Sequence, residues 1–310
     1  MRKTSAVLAS LSLAVLALTG CTAASPDDGA ACDRGTGSTE IRDAVTVKGD
    51  VGAAPDVSVF SPLHLKESAF ADTTVGDGRT IVDKTQALVV ELSIFSGETG
   101  KQVYATSYDE SRGQVSTADY WATQSPGLAS VFECATEGSR IVAGLTPDDF
   151  GANNLEGFGL SADDNAVFVI DVVDVFLSRA EGALQFNDAK GMPTVVRAPD
   201  GTPGVIIPDS AAPTEQVVQT LIKGDGEEVA DGQIPLMNVM AVGWDDKKVV
   251  TSTWGQGPTG DLSTTAPTVA EAIVGQTVGS QLLVVTPAGD AGPAVAYVVD
   301  ILGAVTAPTQ

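Results

Sequence analysis

The sequence predicts an α+β fold of two similar units in tandem, each mostly antiparallel strands with one short helix. Two observations carry this. A Gly-Asp-Gly turn occurs twice, in VGDGRTIVDKTQ (75 to 86) and KGDGEEVADGQ (223 to 233). Behind each turn, strand-like and helix-like segments follow in the same order. A length of 310 residues suits about two domains. Units this long are separate folded bodies, since the units of a solenoid are shorter.

The elements can be justified in order. Arg2 and Lys3 open the chain, and Ala6 to Leu18 is an apolar run too short to span a bilayer comfortably. Residues 1–20 therefore read as an export signal. The run ends in Leu18-Thr19-Gly20-Cys21, which resembles the lipobox of bacterial lipoproteins. That resemblance implies cleavage before Cys21 and a diacylglyceryl group on its sulfur. The other reading is an ordinary secretory signal with a chance cysteine, and both readings export the protein. The expected location is extracytoplasmic, lipid-anchored to the outer face of the cytoplasmic membrane.

Residues 21–55 are small and polar at first and read as a flexible tether. The first unit is expected over 56–178. Its strands include ALVVELSIF (87 to 95), RIVAGLTP after the Thr136–Ser139 turn, and NAVFVIDVVDV (165 to 175), with GLASVFE (127 to 133) as its helix. A Pro-rich linker spans 179–212; its prolines bar regular helix and favour extended chain, with one edge strand at Gly204 to Ile207. The second unit, 213–303, repeats the pattern with IPLMNVMAVGW (234 to 244), TVAEAIV (268 to 274), QLLVVTP after the Thr277–Ser280 turn, and AVAYVVDILGA (294 to 304). Residues 304–310 are a tail.

Charge and residue counts exclude several functions. The net charge of -23 repels phosphate backbones and anionic headgroups, so no nucleic acid is expected and the membrane is met through the lipid anchor only. His64 is the single histidine, in the loop-like SPLHLKE. A Ser-His-Asp hydrolase and a His-based metal site are therefore disfavoured, and neither metal nor cofactor is expected. If Cys21 is lipidated, Cys32 and Cys134 remain in an oxidising compartment. They are expected to form a disulfide; two unpaired buried thiols are the alternative.

The repeat unit resembles the FK-binding-protein (FKBP) type of peptidyl-prolyl cis-trans isomerase. The residues that carry the likeness are VVQTLIKGDG (217 to 226), the Gly-Gln-Thr-Val-Gly-Ser-Gln run (275 to 281), the closing strands, and a short helix after Pro126 or Pro267. The resemblance implies two FKBP-like domains, each a curved antiparallel half-barrel around one short helix. It also implies a ring-lined pocket for proline, and as partners proline-containing peptides or unfolded exported proteins.

Carried over position by position, the pocket has lost most of its rings. Leu128 and Val269 stand at the helix start, and Leu92 with Val239 on the strand that usually gives Tyr. Val103-Tyr104 and Val249-Val250 replace a Phe-Asp pair, and Trp254 follows nearby. Phe150 holds the aromatic position of the loop before the last strand, and Phe168 and Tyr297 hold the floor. Phe150, in a loop with Asp148 and Asp149, is expected to face a ligand more than the core, whereas Phe168 and Tyr297 fit core packing equally well. An isomerase with weak activity is the expected function; a non-catalytic peptide-binding, chaperone-like or structural lipoprotein is the alternative.

Overall fold

The computed structural model describes residues 32–108, 114–186, 190–260, 262, 266–289 and 292–306. The expected export signal, the lipid-bearing Cys21, residues 22–31 of the tether and residues 307–310 of the tail lie outside that set.

The chain is rich in sheet, and its helices are short. A hairpin comes first, β1 (Val45–Lys48) against β2 (Asp56–Val59), preceded by α1 (Thr39–Ala44). The first large sheet holds β3 (Ala69–Thr74), β4 (Ala87–Ser96), β5 (Gln102–Ala105), β6 (Val115–Thr117), β7 (Arg140–Leu145) and β8 (Ala166–Val175). Its order is β3-β7-β8-β4-β5, with β6 also on β4. Then come β9 (Ala183–Leu184) and a second hairpin, β10 (Thr194–Arg197) with β11 (Pro203–Ile206). The second large sheet adds β12 (Val217–Lys223), β13 (Gln233–Gly243), β14 (Val249–Ser252), β15 (Gln281–Thr286) and β16 (Val295–Thr306), in the order β14-β13-β16-β15-β12-β9. Apart from β9 and β6, the two sheets share one strand order, and every described pairing is antiparallel.

The largely apolar runs of β8 and β16, interrupted by Asp171 and Asp174 in the one and Asp300 in the other, follow from burial on both faces. In the first half, one face of the sheet packs Leu128, Val131 and Phe132 against Leu92, Ile141 and Ile170. The other face packs Phe95, Val142, Val167 and Val169 against Val45, Val47, Val57 and Val59 of the first hairpin. The second half repeats this. Val269 and Ile273 of α6 (Pro267–Ile273) cover Val239, Leu282, Val284 and Val299, and the hairpin residues Val195 and Val205 join Met240, Val242, Leu283 and Val285 on the opposite face.

Each hairpin therefore belongs to its sheet, which corrects three expectations. Residues 39–48, expected within the tether, form α1 and β1 because Ile41 and Val45 are buried there. The Pro-rich interval 179–212, expected to hold one strand, holds β9, β10 and β11, since Val195 and Val205 bury against the second sheet. Residues 304–306, placed in the tail, extend β16 by pairing with Gln233 to Pro235. The first half also has more helix than the single segment predicted: α2 (Ala118–Gln124), a 3-10 turn at Pro126–Leu128, α3 (Ala129–Phe132), α4 (Pro147–Phe150) and α5 (Ala152–Gly157).

The repeated Gly-Asp-Gly motif has a packing explanation. Gly76 donates its amide to Ser139 Oγ at 3.0 Å and accepts from Thr136 Oγ1 at 3.1 Å. Gly224 does the same with Ser280 at 3.0 Å and Thr277 at 2.7 Å. A Cβ on Gly76 would lie 1.9 Å from the Glu137 carbonyl oxygen, and one on Gly224 2.2 Å from that of Val278. Only glycine permits this approach of two backbones.

Candidate functional site

The ring cluster lies on the helix-bearing face of the first sheet. Leu92 comes from β4, Leu128 from the 3-10 turn, Phe150 from α4 and Phe168 from β8, and all four are buried in one core with Val103 of β5 partly buried beside them. Tyr104, at 42% exposure, meets Phe158 edge-on at 5.6 Å. Phe158 stacks on Phe150 at 5.8 Å, and Phe150 meets Phe168 edge-on at 5.6 Å. The four rings form a continuous path from solvent to the sheet. Trp121, partly buried, flanks it, with its ring 6.4 Å from that of Phe132 and its Nε1 donating to Ser116 Oγ at 2.8 Å.

Phe150 is 1% exposed, which corrects the expectation that it faces a ligand. The reason is the cap of α4. Thr146 accepts from the Asp149 amide, and the Asp149 carboxylate accepts from the Ser68 hydroxyl. Asp149 thus serves the helix end, and the single turn swings Phe150 inward. Phe158, which the sequence reading did not single out, is the ring that links the buried pair to the surface.

The second half brings fewer of its candidates together. Val239 and Val269 are buried in the equivalent core, with Tyr297 partly buried against it and its phenol pushed up by burial. Strand register supports the equivalence of Phe168 and Tyr297, since Ile94 pairs with the first and Ala241 with the second. Trp254 is not part of this face; it packs with Met240, Val242 and Trp244 on the hairpin side. Thr253 is the counterpart of Thr106: its hydroxyl accepts from the Val239 amide at 2.9 Å as that of Thr106 accepts from Leu92 at 2.9 Å. The same pair fixes the alignment: Tyr104 matches Thr251 and Val103 matches Val250, one residue on from the Val249-Val250 expected.

The connection between the last two strands differs most. In the first half, residues 146–165 carry α4, α5 and Phe158; in the second, β15 ends at Thr286 and β16 begins at Val295. Cys32 and Cys134 are each disulfide-bonded. His64 is exposed beside Glu98. Among the described residues, no three His, Cys, Asp or Glu side chains are arranged to hold a metal ion.

No protein-family model matches this chain, and no curated protein matches it either. Solved structures do. The three FKBP domains of wheat FKBP73 align at 14% identity with a TM-score of 0.34, covering 77% of this chain and 95% of that one. A peptidyl-prolyl cis-trans isomerase from Pseudomonas syringae aligns at 17% identity and 0.29, over 35% of this chain and 74% of that one. FkpA from Escherichia coli aligns at 18% identity and 0.29, over 35% and 47%.

Proposed function

We propose that this chain is an exported protein of two FKBP-like half-barrel domains, held to the outer face of the cytoplasmic membrane by lipid on Cys21. In this reading, the first domain binds X-Pro segments of exported proteins and speeds their cis-trans exchange weakly. The observation that carries the proposal is the ring path Tyr104–Phe158–Phe150–Phe168, which has a surface end in the first half and only Tyr297 as its counterpart in the second.

The chemistry needs no nucleophile or metal. Amide resonance sets a rotation barrier of about 18 to 20 kcal/mol, and an X-Pro bond takes tens to hundreds of seconds to exchange unaided. A surface that holds the proline ring and favours the twisted, less solvated amide lowers that barrier. Tyr104 and Phe158 offer such a ring surface. Leu92, Leu128, Phe150 and Phe168 lie beneath it, so the ligand is gripped from few sides. A loss of about 3 kcal/mol in transition-state binding is about a hundredfold in rate.

The test uses the full chain and an X-Pro peptide followed by exchange NMR. Shift changes at Tyr104 and Phe158, absent at Tyr297, with faster cis-trans exchange, are expected. Tyr104→Ala should reduce both. Shifts without acceleration would leave a peptide-holding role, and neither effect would end the proposal.

A further inference from the structure

On the hairpin-bearing face, both halves carry a row of three polar side chains centred on an aspartate, and the two flanking residues differ in charge. In the first sheet, Glu91 and Arg140 both stand opposite Asp171. The Asp171 carboxylate accepts from Nε and Nη2 of Arg140, each at 2.6 Å, and from the Gly52 amide at 2.8 Å. In the second sheet, Asn238, Asp300 and Gln281 hold the matching places. Asp300 accepts from Gln281 Nε2 at 2.7 Å and from the Ala180 amide at 2.8 Å, and it is 1% exposed. An amide has replaced the guanidinium that neutralises Asp171.

Ala180 lies in the connection from β8 into the second sheet. On either side of it, Leu177 donates its amide to the Leu302 carbonyl at 3.2 Å and Glu181 to that of Gly279 at 2.9 Å. A carboxylate buried with neutral donors is unfavourable in its ionised form. Burial pushes the Asp300 carboxyl up to about 6, opposed by the bonds from Ala180 and Gln281 and by the charge of Arg197 on β10. Asn238 on β13 and Gln281 on β15 bring no charge.

We propose that Asp300 is a proton-operated latch: it holds the connection Leu177–Glu181 more firmly to the second sheet in mildly acid solution than at neutral pH. The direction follows from linkage. A carboxyl whose folded value is raised adds stability that is complete below its ordinary 3.8 and lost as pH rises through about 6. Lifting the connection exposes Asp300 to water and returns it to the ordinary value, so opening releases a proton.

Amide hydrogen exchange on the full chain at pH 5 and pH 7, corrected for intrinsic rates, tests it. Protection at Ala180, relative to Gly52 as an internal reference, should be about tenfold higher at pH 5. Asp300→Asn should remove that difference, because an amide accepts the Ala180 bond without titrating. A flat wild-type profile, or an unchanged rise in the variant, overturns the latch. If the variant does not fold, the wild-type Asp300 carboxyl titration by carbon NMR decides: a midpoint near 6 supports it, and one near 3.8 ends it.

Discussion

Phe150 shows how far a single residue can mislead when its loop is read as loop. Two aspartates and a proline around an aromatic ring look like an exposed turn. Thr146 and Asp149 instead cap one helical turn, and the ring ends between Phe158 and Phe168. Its removal should act on stability first. Phe150→Ala is expected to destabilise the protein by about 3 to 5 kcal/mol, as for other buried phenylalanines, read from denaturant midpoints at unchanged slope. A loss below about 1 kcal/mol would mean that the ring is a ligand contact after all. The same scale explains what the sequence made legible. Leu92, Leu128 and Phe168, singled out by the family resemblance, do meet in one core. Phe158 could not be found that way, because it follows α5, beyond the Pro147–Gly151 stretch that carries the likeness in this loop.

Elements were legible where a periodic pattern or a repeated turn marked them, and illegible where burial came from far away. The long strands β4, β7, β8, β13, β15 and β16 fall where apolar runs predicted them, whereas the short β3, β5, β6, β9 and β14 carry too few apolar residues to be marked. Of each hairpin only the second strand, near 57–60 and 204–207, is marked in the sequence, since each hairpin buries only one face and each is rich in Gly, Pro and Asp. What holds the first hairpin is Arg140, whose guanidinium donates to the carbonyls of Gly49, Asp50 and Ala53 while pairing with Asp171. Removing the cation would leave Asp171 buried and uncompensated. Arg140→Met should therefore cost about 3 to 5 kcal/mol. Hydrogen exchange should locate the damage at residues 45–59, with the second hairpin unaffected. Equal deprotection of both hairpins would mean that Arg140 supports the whole fold and not one element.

At the scale of the whole molecule, the question is whether two halves with separate cores behave as one. Phe176, directly after β8, packs with Ala87 of the first sheet and Leu236 of the second. It fills the space that Gly303 leaves on β16, where a Cβ would come within 2.4 Å of its ring. A glycine inside a closing strand weakens that strand unless something approaches closely, and this contact supplies the reason. The Phe176 amide donates to the Ala87 carbonyl at 3.0 Å, one residue before the Leu177 bond to Leu302. Unfolding either half would strip the ring of its partners, so the halves are expected to melt in a single calorimetric transition. Phe176→Ala should lower stability by about 3 kcal/mol and split that transition in two. Added salt should raise the midpoint by screening the net charge of -23 without changing the number of transitions. Two resolved transitions in the wild type would show instead that the apolar junction is too small to couple the cores. In that case the Asp300 latch would govern only the connection beside it.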